Sequence, residues 1–291
     1  MPHLHHGALG SGGPVLLTGT LVILAFIYLR GWVSLRSERL IRIAAWRACS
    51  FLLGLFLIWA ALASPFSSLD HELLTAHMLK HLLLMTVAPP LIWLGEPMRC
   101  VAWAFPIAIW RTRISALQQI GKALARPEVC WLAAAAALLL WHIPAIFALG
   151  MRSAEWHFVE QSSFLVSGLL FWWPVIQPWP SALRPELSMI LYLFFATVPC
   201  DVLSGFLVFC DRVIYTGYLS SSRLFGLDAL GDQQCAAALM WTCVTLVYLV
   251  AGTTLSMRLL SRQNSRDHEF AYADMYVIPA QRNVQHKLEA F

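Results

Sequence analysis

The sequence is poor in charged residues. Only 12% of its 291 residues are charged, whereas 59% are hydrophobic. A soluble domain carries about 25% charged residues, so this chain has too few polar side chains to cover a soluble protein of its length. Its apolar content excludes a disordered chain. The 20 basic and 16 acidic residues form no basic tract, so nucleic acid is not an expected partner. We expect the lipid bilayer to surround most of the chain.

The sequence also lacks the usual signatures of soluble redox proteins and hydrolases. Its seven cysteines contain no C-x-x-C pair, which excludes zinc ribbons, thioredoxin-like sites and the common soluble copper-chaperone motif. Cys210 and Cys235 could form a disulfide in an oxidising compartment. The sequence has no nucleophile motif and no phosphate-binding glycine loop, so it gives no reason to expect an enzyme.

Long apolar runs are abundant. A helix needs about 20 apolar residues to cross a hydrocarbon core of ~30 Å. Seven stretches qualify, at 15–33, 43–64, 73–94, 129–150, 156–177, 187–210 and 233–257. They are continuously apolar rather than alternating, which indicates helices and not barrel strands. We therefore predict an all-α polytopic membrane protein with seven transmembrane helices in a domain over residues 15–257. A shorter run at 100–110, interrupted by Pro106, predicts an interfacial or re-entrant piece.

The positive charges predict how the chain is oriented in the membrane. No Lys or Arg precedes Arg30, which follows the first apolar run, so that run does not resemble a cleavable signal peptide. Sixteen basic residues fall in segments on one side of the predicted membrane and three on the other, with Lys80 inside a span. The positive-inside rule then places the His-containing arm over residues 1–14 outside and the tail over residues 258–291 in the cytoplasm.

The third apolar run carries a stripe of metal-binding side chains. His77, His81 and Met85 repeat at i, i+4 and i+8, so they line one face of a helix. Imidazole and thioether ligands together suit copper. The alternative is that the histidines simply hydrogen-bond to neighbouring helices. Lys80, on a different face, either pairs with an acidic residue or extends toward the membrane surface. The Pro89–Pro90 pair should kink the helix below the stripe.

Other runs bring ionisable residues to the same predicted half of the membrane, where such groups are costly and are by default candidates for function. Glu160 could be a ligand or could orient an imidazole, although an interhelical hydrogen bond would also explain it. Asp201 needs a cationic or histidine partner to stay charged. Asp232 lies at the predicted N-terminal end of the seventh span and could equally cap that helix. The histidines of the N-terminal arm either capture metal ions or form a solvated end. The candidate metal ligands are His77, His81, Met85, His142, His157, Glu160, Asp201 and Asp232.

Several motifs resemble one known family. They are Ser50–Phe66, Ala76–Pro97, Trp141–Ala145, Trp156–Ile176 and Asp232–Trp241. In order and spacing they are similar to the multi-span CtaG family of cytochrome c oxidase assembly factors, over about residues 50–257. The matching site positions are His77, His81, His142, His157, Glu160 and Asp232. Gln161 stands where the family often has a second histidine beside the glutamate, which weakens the case for an additional metal site there.

The resemblance implies a multi-pass protein of the bacterial plasma (inner) membrane that helps to assemble a haem–copper oxidase. Copper would be the bound ion, and an oxidase subunit or another copper chaperone would be the partner. One alternative is a haem-binding or redox membrane enzyme, which would need His142 or His157 as the axial ligand opposite the stripe. Another is a metal or proton transporter, which would need polar residues through the inner halves of the spans. Those halves are almost purely apolar here.

Overall fold

The computed structural model describes residues 12–37, 44–104, 126–176, 187–220 and 226–289, with side chains to residue 261 in the last range. Most of the described residues are helical, and none of them forms a β-strand. The helices are α1 (Gly12–Ser37), α2 (Ala45–Leu62), α3 (Leu74–Leu82), α4 (Ala88–Leu94), α5 (Pro97–Ala104), α6 (Pro127–Trp141), α7 (Pro144–Arg152), α8 (Ala154–Ile176), α9 (Leu187–Phe209) and α10 (Ala229–Glu289). Two 3₁₀ turns lie at Pro65–His71 and Thr216–Ser220.

Each of the seven apolar stretches is helical, but not all of them qualify as membrane spans. Five are long and apolar enough, at Gly13–Ser37, Ala45–Leu62, Leu74–Leu94, Leu187–Phe209 and Ala229–Ser261. Helices α6 and α7 together would make a sixth, bent by 79°. Helix α8 has 23 residues but is not among them, because Glu160, Gln161 and two serines lower the hydropathy of its first half. The described residues thus form a multi-pass membrane protein with five to six candidate spans.

The seventh membrane span and the orientation of the chain in the membrane remain predictions from the sequence. The N-terminal arm, residues 105–110 of the short apolar run, and the side chains of the tail beyond residue 261 lie outside the described part of the chain.

The third apolar stretch is interrupted by a π-helical turn at Leu83–Val87, which only Ala88 separates from the proline pair. Proline has no N–H, and its ring clashes with the carbonyl four residues earlier. In the π turn the Ala88 N–H donates to the Leu83 carbonyl oxygen, five residues earlier, and such turns are frequent at functional sites. The helix is therefore interrupted beside the proline pair, as the sequence predicts, and Leu74–Leu94 still qualifies as a single candidate span.

Helix α8 packs against this stretch at unusually close range. A Cβ atom on Gly168 would lie 2.6 Å from the Met85 carbonyl oxygen and 2.7 Å from the Met85 Cα, so only glycine fits there. One turn earlier, Phe164 stacks on His81 with ring centroids 4.1 Å apart. Both pairs are separated by 83 positions in the chain, so the two helices run in the same direction and stay in register. This register carries the first turns of α8 to the histidine stripe.

The opposite end of the α3–α4 stretch is held by polar contacts. The Tyr28 hydroxyl of α1 donates a hydrogen bond of 2.8 Å to the Gly95 carbonyl oxygen. Glu96, in the left-handed region with φ 51°, pairs with Arg47 of α2 and, at 2.8 Å, with Arg99 of α5. These contacts fix α1, α2 and α5 around the end of α4. The outward faces of the bundle are apolar and suited to lipid, as the largely exposed phenylalanines of α9 illustrate.

Candidate metal centre

Three buried side chains from α3 and α8 converge, and we call His77, His81 and Glu160 the inner triad. The Nε2 atoms of His77 and His81 lie 3.4 and 3.5 Å from the same Glu160 oxygen, Oε1. One ligand atom from each residue lies within 4.8 Å of the others. All three are buried, and within the described part of the chain none of their side-chain nitrogen or oxygen atoms makes a hydrogen bond. Leaving such groups unpaired costs about 1–3 kcal/mol each, so the site has free lone pairs that a cation would satisfy.

Aromatic rings and a glycine form the walls of the inner triad. Phe147 of α7 meets the His77 ring edge-on at 5.1 Å between centroids, and Phe164 stacks on His81. A Cβ atom on Gly150 of α7 would lie 3.0 Å from the triad's carboxylate. These close neighbours hold the three donors in place.

A second group shares His77 with the first, and we call Asp70, His77 and His157 the outer triad. Asp70 Oδ2 lies 3.2 Å from His157 Nε2. The His77 and His157 rings are stacked with centroids 5.8 Å apart. One ligand atom from each residue again lies within 4.8 Å of the others. The structure therefore joins His157 to the α3 stripe through an aspartate from the preceding 3₁₀ turn.

Asp70 is fixed by several polar contacts. Its carboxylate accepts a hydrogen bond from Lys80, which also donates to the Ser67 carbonyl oxygen at 3.1 Å. Its own carbonyl accepts a 2.6 Å bond from the Tyr218 hydroxyl. Burial would raise the pKa of Asp70, but hydrogen bonding from His157 and the charge of Lys80 hold that pKa below its ordinary value. One of the two roles predicted for Lys80, pairing with an acidic residue, is thus confirmed.

The sequence pattern does not single out Asp70. The residue lies between two apolar runs, where an aspartate normally faces water, and only the 3₁₀ turn at Pro65–His71 directs it inward. Two signals could have pointed to it. An acidic partner was one of the two roles predicted for Lys80, and His71 follows Asp70 directly. Partial burial lowers the pKa of His71, although the Asp70 charge opposes this shift.

His142 and Met85 lie outside both triads. His142 occupies the break between α6 and α7, where its Nδ1 lies 2.7 Å from the Leu138 carbonyl oxygen. That contact places the ring proton on Nδ1 and leaves a lone pair on Nε2, which is buried and makes no hydrogen bond within the described residues. His142, Met85 and His81 all line a cavity of about 40 Å³.

The two remaining acidic candidates are also separate from the triads. Asp232 of α10 accepts hydrogen bonds from the backbone N–H groups of Leu74 and Thr75 at 2.6 and 3.1 Å, and from the Thr75 hydroxyl at 2.6 Å. It therefore caps α3 and not, as the sequence had suggested, its own helix, because Asp228 is the residue that bonds the first turn of α10 through the Gly231 N–H. Asp201 is half-buried on α9, and its Oδ1 makes no hydrogen bond within the part of the chain that is described.

Cys210 and Cys235 are free thiols in the structure. The disulfide that the sequence allowed between them is therefore not formed.

Comparison with known proteins agrees with the sequence motifs. The cytochrome c oxidase caa3 assembly factor family (Caa3_CtaG) matches residues 26–262. This range covers most of the chain, including both triads. No curated protein and no solved structure matches the chain. Because the match covers far more than half of the sequence, the chain belongs to the Caa3_CtaG family of cytochrome c oxidase caa3 assembly factors.

Proposed function

We propose that this assembly factor binds a copper ion as cargo at the inner triad and delivers it to the oxidase within the membrane. The observation that carries the proposal is the separation of the donor atoms. Ligands about 2.0–2.1 Å from a metal ion lie roughly 3.3–3.6 Å apart in tetrahedral or trigonal geometry. The two imidazole nitrogens lie 3.4 and 3.5 Å from the shared carboxylate oxygen.

A purely structural role fits these distances less well. Histidine–carboxylate hydrogen bonds are about 2.7–3.2 Å long, and a buried network that exists for stability should satisfy its members. Here both nitrogens of each histidine and both oxygens of the glutamate are left without hydrogen bonds in the described structure. The spacing of the three side chains thus suits the binding of a metal ion better than hydrogen bonding between them.

Copper is the ion that we assign to this site. Imidazole nitrogen binds copper well, and oxidases of the haem–copper type require copper in the membrane. Met85 and His142 on the adjoining cavity offer further sulfur and nitrogen donors beside His81. We propose them as ligands through which the ion leaves the inner triad, and we propose the predicted extracytoplasmic side as the side of loading.

Metal analysis tests the binding step. Full-length protein purified in detergent, without chelator or nickel affinity resin, should contain about one copper ion per chain. His77→Ala and His81→Ala should each lose most of it, because the two ligands that remain cannot enclose the ion. His268→Ala, in the tail beyond the family match, is the matched control and should keep its copper. Wild-type protein without copper, or unchanged copper in both triad variants, would contradict the proposal.

Analysis of the oxidase tests the delivery step. In cells whose only copy carries His81→Ala, the isolated oxidase should contain haem but little copper, and added copper salts should restore part of its activity. The His268→Ala strain should yield fully loaded oxidase. Normal copper in the oxidase of the His81→Ala strain would show that delivery does not use this site.

A further inference from the structure

Four imidazole rings form a row that leads from the protein surface to the inner triad. In order they are His71, His157, His77 and His81. Successive ring centroids are 5.4, 5.8 and 4.3 Å apart. The exposed side-chain fractions are 55%, 14%, 0% and 7% in the same order. The row of rings is thus exposed at His71 and buried at His81.

A carboxylate lies beside each end of this row of rings. Asp70 places one oxygen 3.7 Å from His71 Nε2 and the other 3.2 Å from His157 Nε2. Glu160 faces the two buried rings at the far end. The outer and inner triads therefore offer the same donors, two imidazoles and one carboxylate, and they share His77.

We infer that copper reaches the inner triad by way of the outer triad, and that His77 stays bound to the ion as it moves. This inference rests on the proposed function. The ion first exchanges solvent ligands for His71 and Asp70 at the surface. It next releases His71 as it binds His157 and His77, which complete the outer triad with Asp70. It then leaves Asp70 and His157 as it gains His81 and Glu160. Only ligands are exchanged, so the ion keeps its oxidation state and finds the same donor set and formal charge in both positions.

Lys80 makes the outer position the weaker one. Its ammonium group already occupies Asp70 Oδ2 and is held by the Ser67 carbonyl oxygen. Copper at the outer triad must therefore share this carboxylate with a fixed positive charge. Within the described residues, Glu160 has no ion pair with any lysine or arginine. The electrostatic difference favours movement inward and makes the outer triad a transient position.

Loading kinetics of the full-length protein test this route. Copper(I) is supplied under anaerobic conditions as a coloured chelate, and the loss of absorbance reports transfer to the protein. His157→Ala should load at least about tenfold more slowly than wild type, since it loses a ligand of the outer position. It should still bind about one copper ion at equilibrium. His71→Ala, at an exposed position where folding is not at risk, should also load more slowly, and His268→Ala should load at the wild-type rate.

Each outcome has a distinct meaning. Equal loading rates in wild type, His71→Ala and His157→Ala would overturn the route but leave the inner triad intact. Loss of equilibrium copper in His157→Ala, to the level of His81→Ala, would overturn the order of the two positions by making His157 a ligand of the final site. If wild-type protein takes up no copper, the proposed function fails, and the route fails with it.

Discussion

Replacing Gly168 by alanine should disturb both the packing of α8 and the inner triad. The new Cβ atom would lie 2.6 Å from the Met85 carbonyl oxygen, 2.7 Å from the Met85 Cα and 2.9 Å from Pro89 Cγ. Two of these atoms belong to the backbone and the third to a rigid ring, so none can rotate away. Ordinary contact begins at 3.4 Å, and the helices must therefore separate by about 0.8 Å at this point.

The expected cost can be isolated with a matched control. Gly205 of α9 is also inside a helix, but a Cβ atom there has no neighbour within 4 Å. Both substitutions gain roughly 1 kcal/mol of helix propensity, whereas only Gly168→Ala suffers overpacking, which costs about 1–3 kcal/mol. Gly168→Ala should thus be less stable than Gly205→Ala by about 1–3 kcal/mol.

The same displacement should weaken copper binding. Metal ligands must keep their distances to within about 0.2 Å, and Glu160 lies two helical turns from Gly168 on the same face of α8. We expect a fall in copper affinity of about tenfold, equivalent to ~1.4 kcal/mol. Denaturant unfolding in detergent measures the first effect, and competition with a coloured copper chelator measures the second. If Gly168→Ala matches Gly205→Ala in both measurements, the packing of α8 on the π turn is not what positions Glu160.

Three further substitutions test other contacts. Asp232→Ala should lower stability by about 1–2 kcal/mol through loss of the α3 cap, while copper per chain stays at the wild-type value; loss of copper from the folded variant would instead make Asp232 a ligand. Lys80→Met should cost about 3–5 kcal/mol because Asp70 is left buried without its cation. The double variant with Asp70→Asn should recover part of that loss, and no recovery would argue against the ion pair. Gly31→Ala, whose Cβ would lie 1.8 Å from a carbonyl oxygen of α5, should unfold at lower denaturant concentration than Gly19→Ala on the same helix, which has open space. Equal midpoints would contradict the docking of α1 on α5.

The sequence predicts the helices well because lipid constrains them so strongly. A continuous apolar run must satisfy its backbone internally, so each of the seven stretches is helical. Spacing also predicts that His77 and His81 share a face, since this depends only on helix geometry. The seventh span is less secure because the polar residues at the start of α8 serve the candidate metal centre and reduce its hydropathy at the same time.

Contacts between distant segments could not be predicted in the same way. Asp232 and the helix that it caps are 158 positions apart, so local sequence explains only why an aspartate suits a helix terminus. Asp70 joins the site because a short 3₁₀ turn directs it inward, and the register of α8 depends on the fit of Gly168 at the π turn. His142 lies in a bend of 79°, and a single proline in the sequence does not determine its angle. Each of these features is set by tertiary packing.

X-ray absorption spectroscopy of the copper-loaded protein tests the central claim most directly. A copper ion held by the inner triad should show nitrogen and oxygen ligands at about 2.0–2.2 Å, with the scattering signature of two imidazole rings. In any copper retained by His81→Ala, the signal of one ring should be missing. A coordination shell dominated by sulfur, or a spectrum that His81→Ala leaves unchanged, would contradict the assignment of copper to His77, His81 and Glu160.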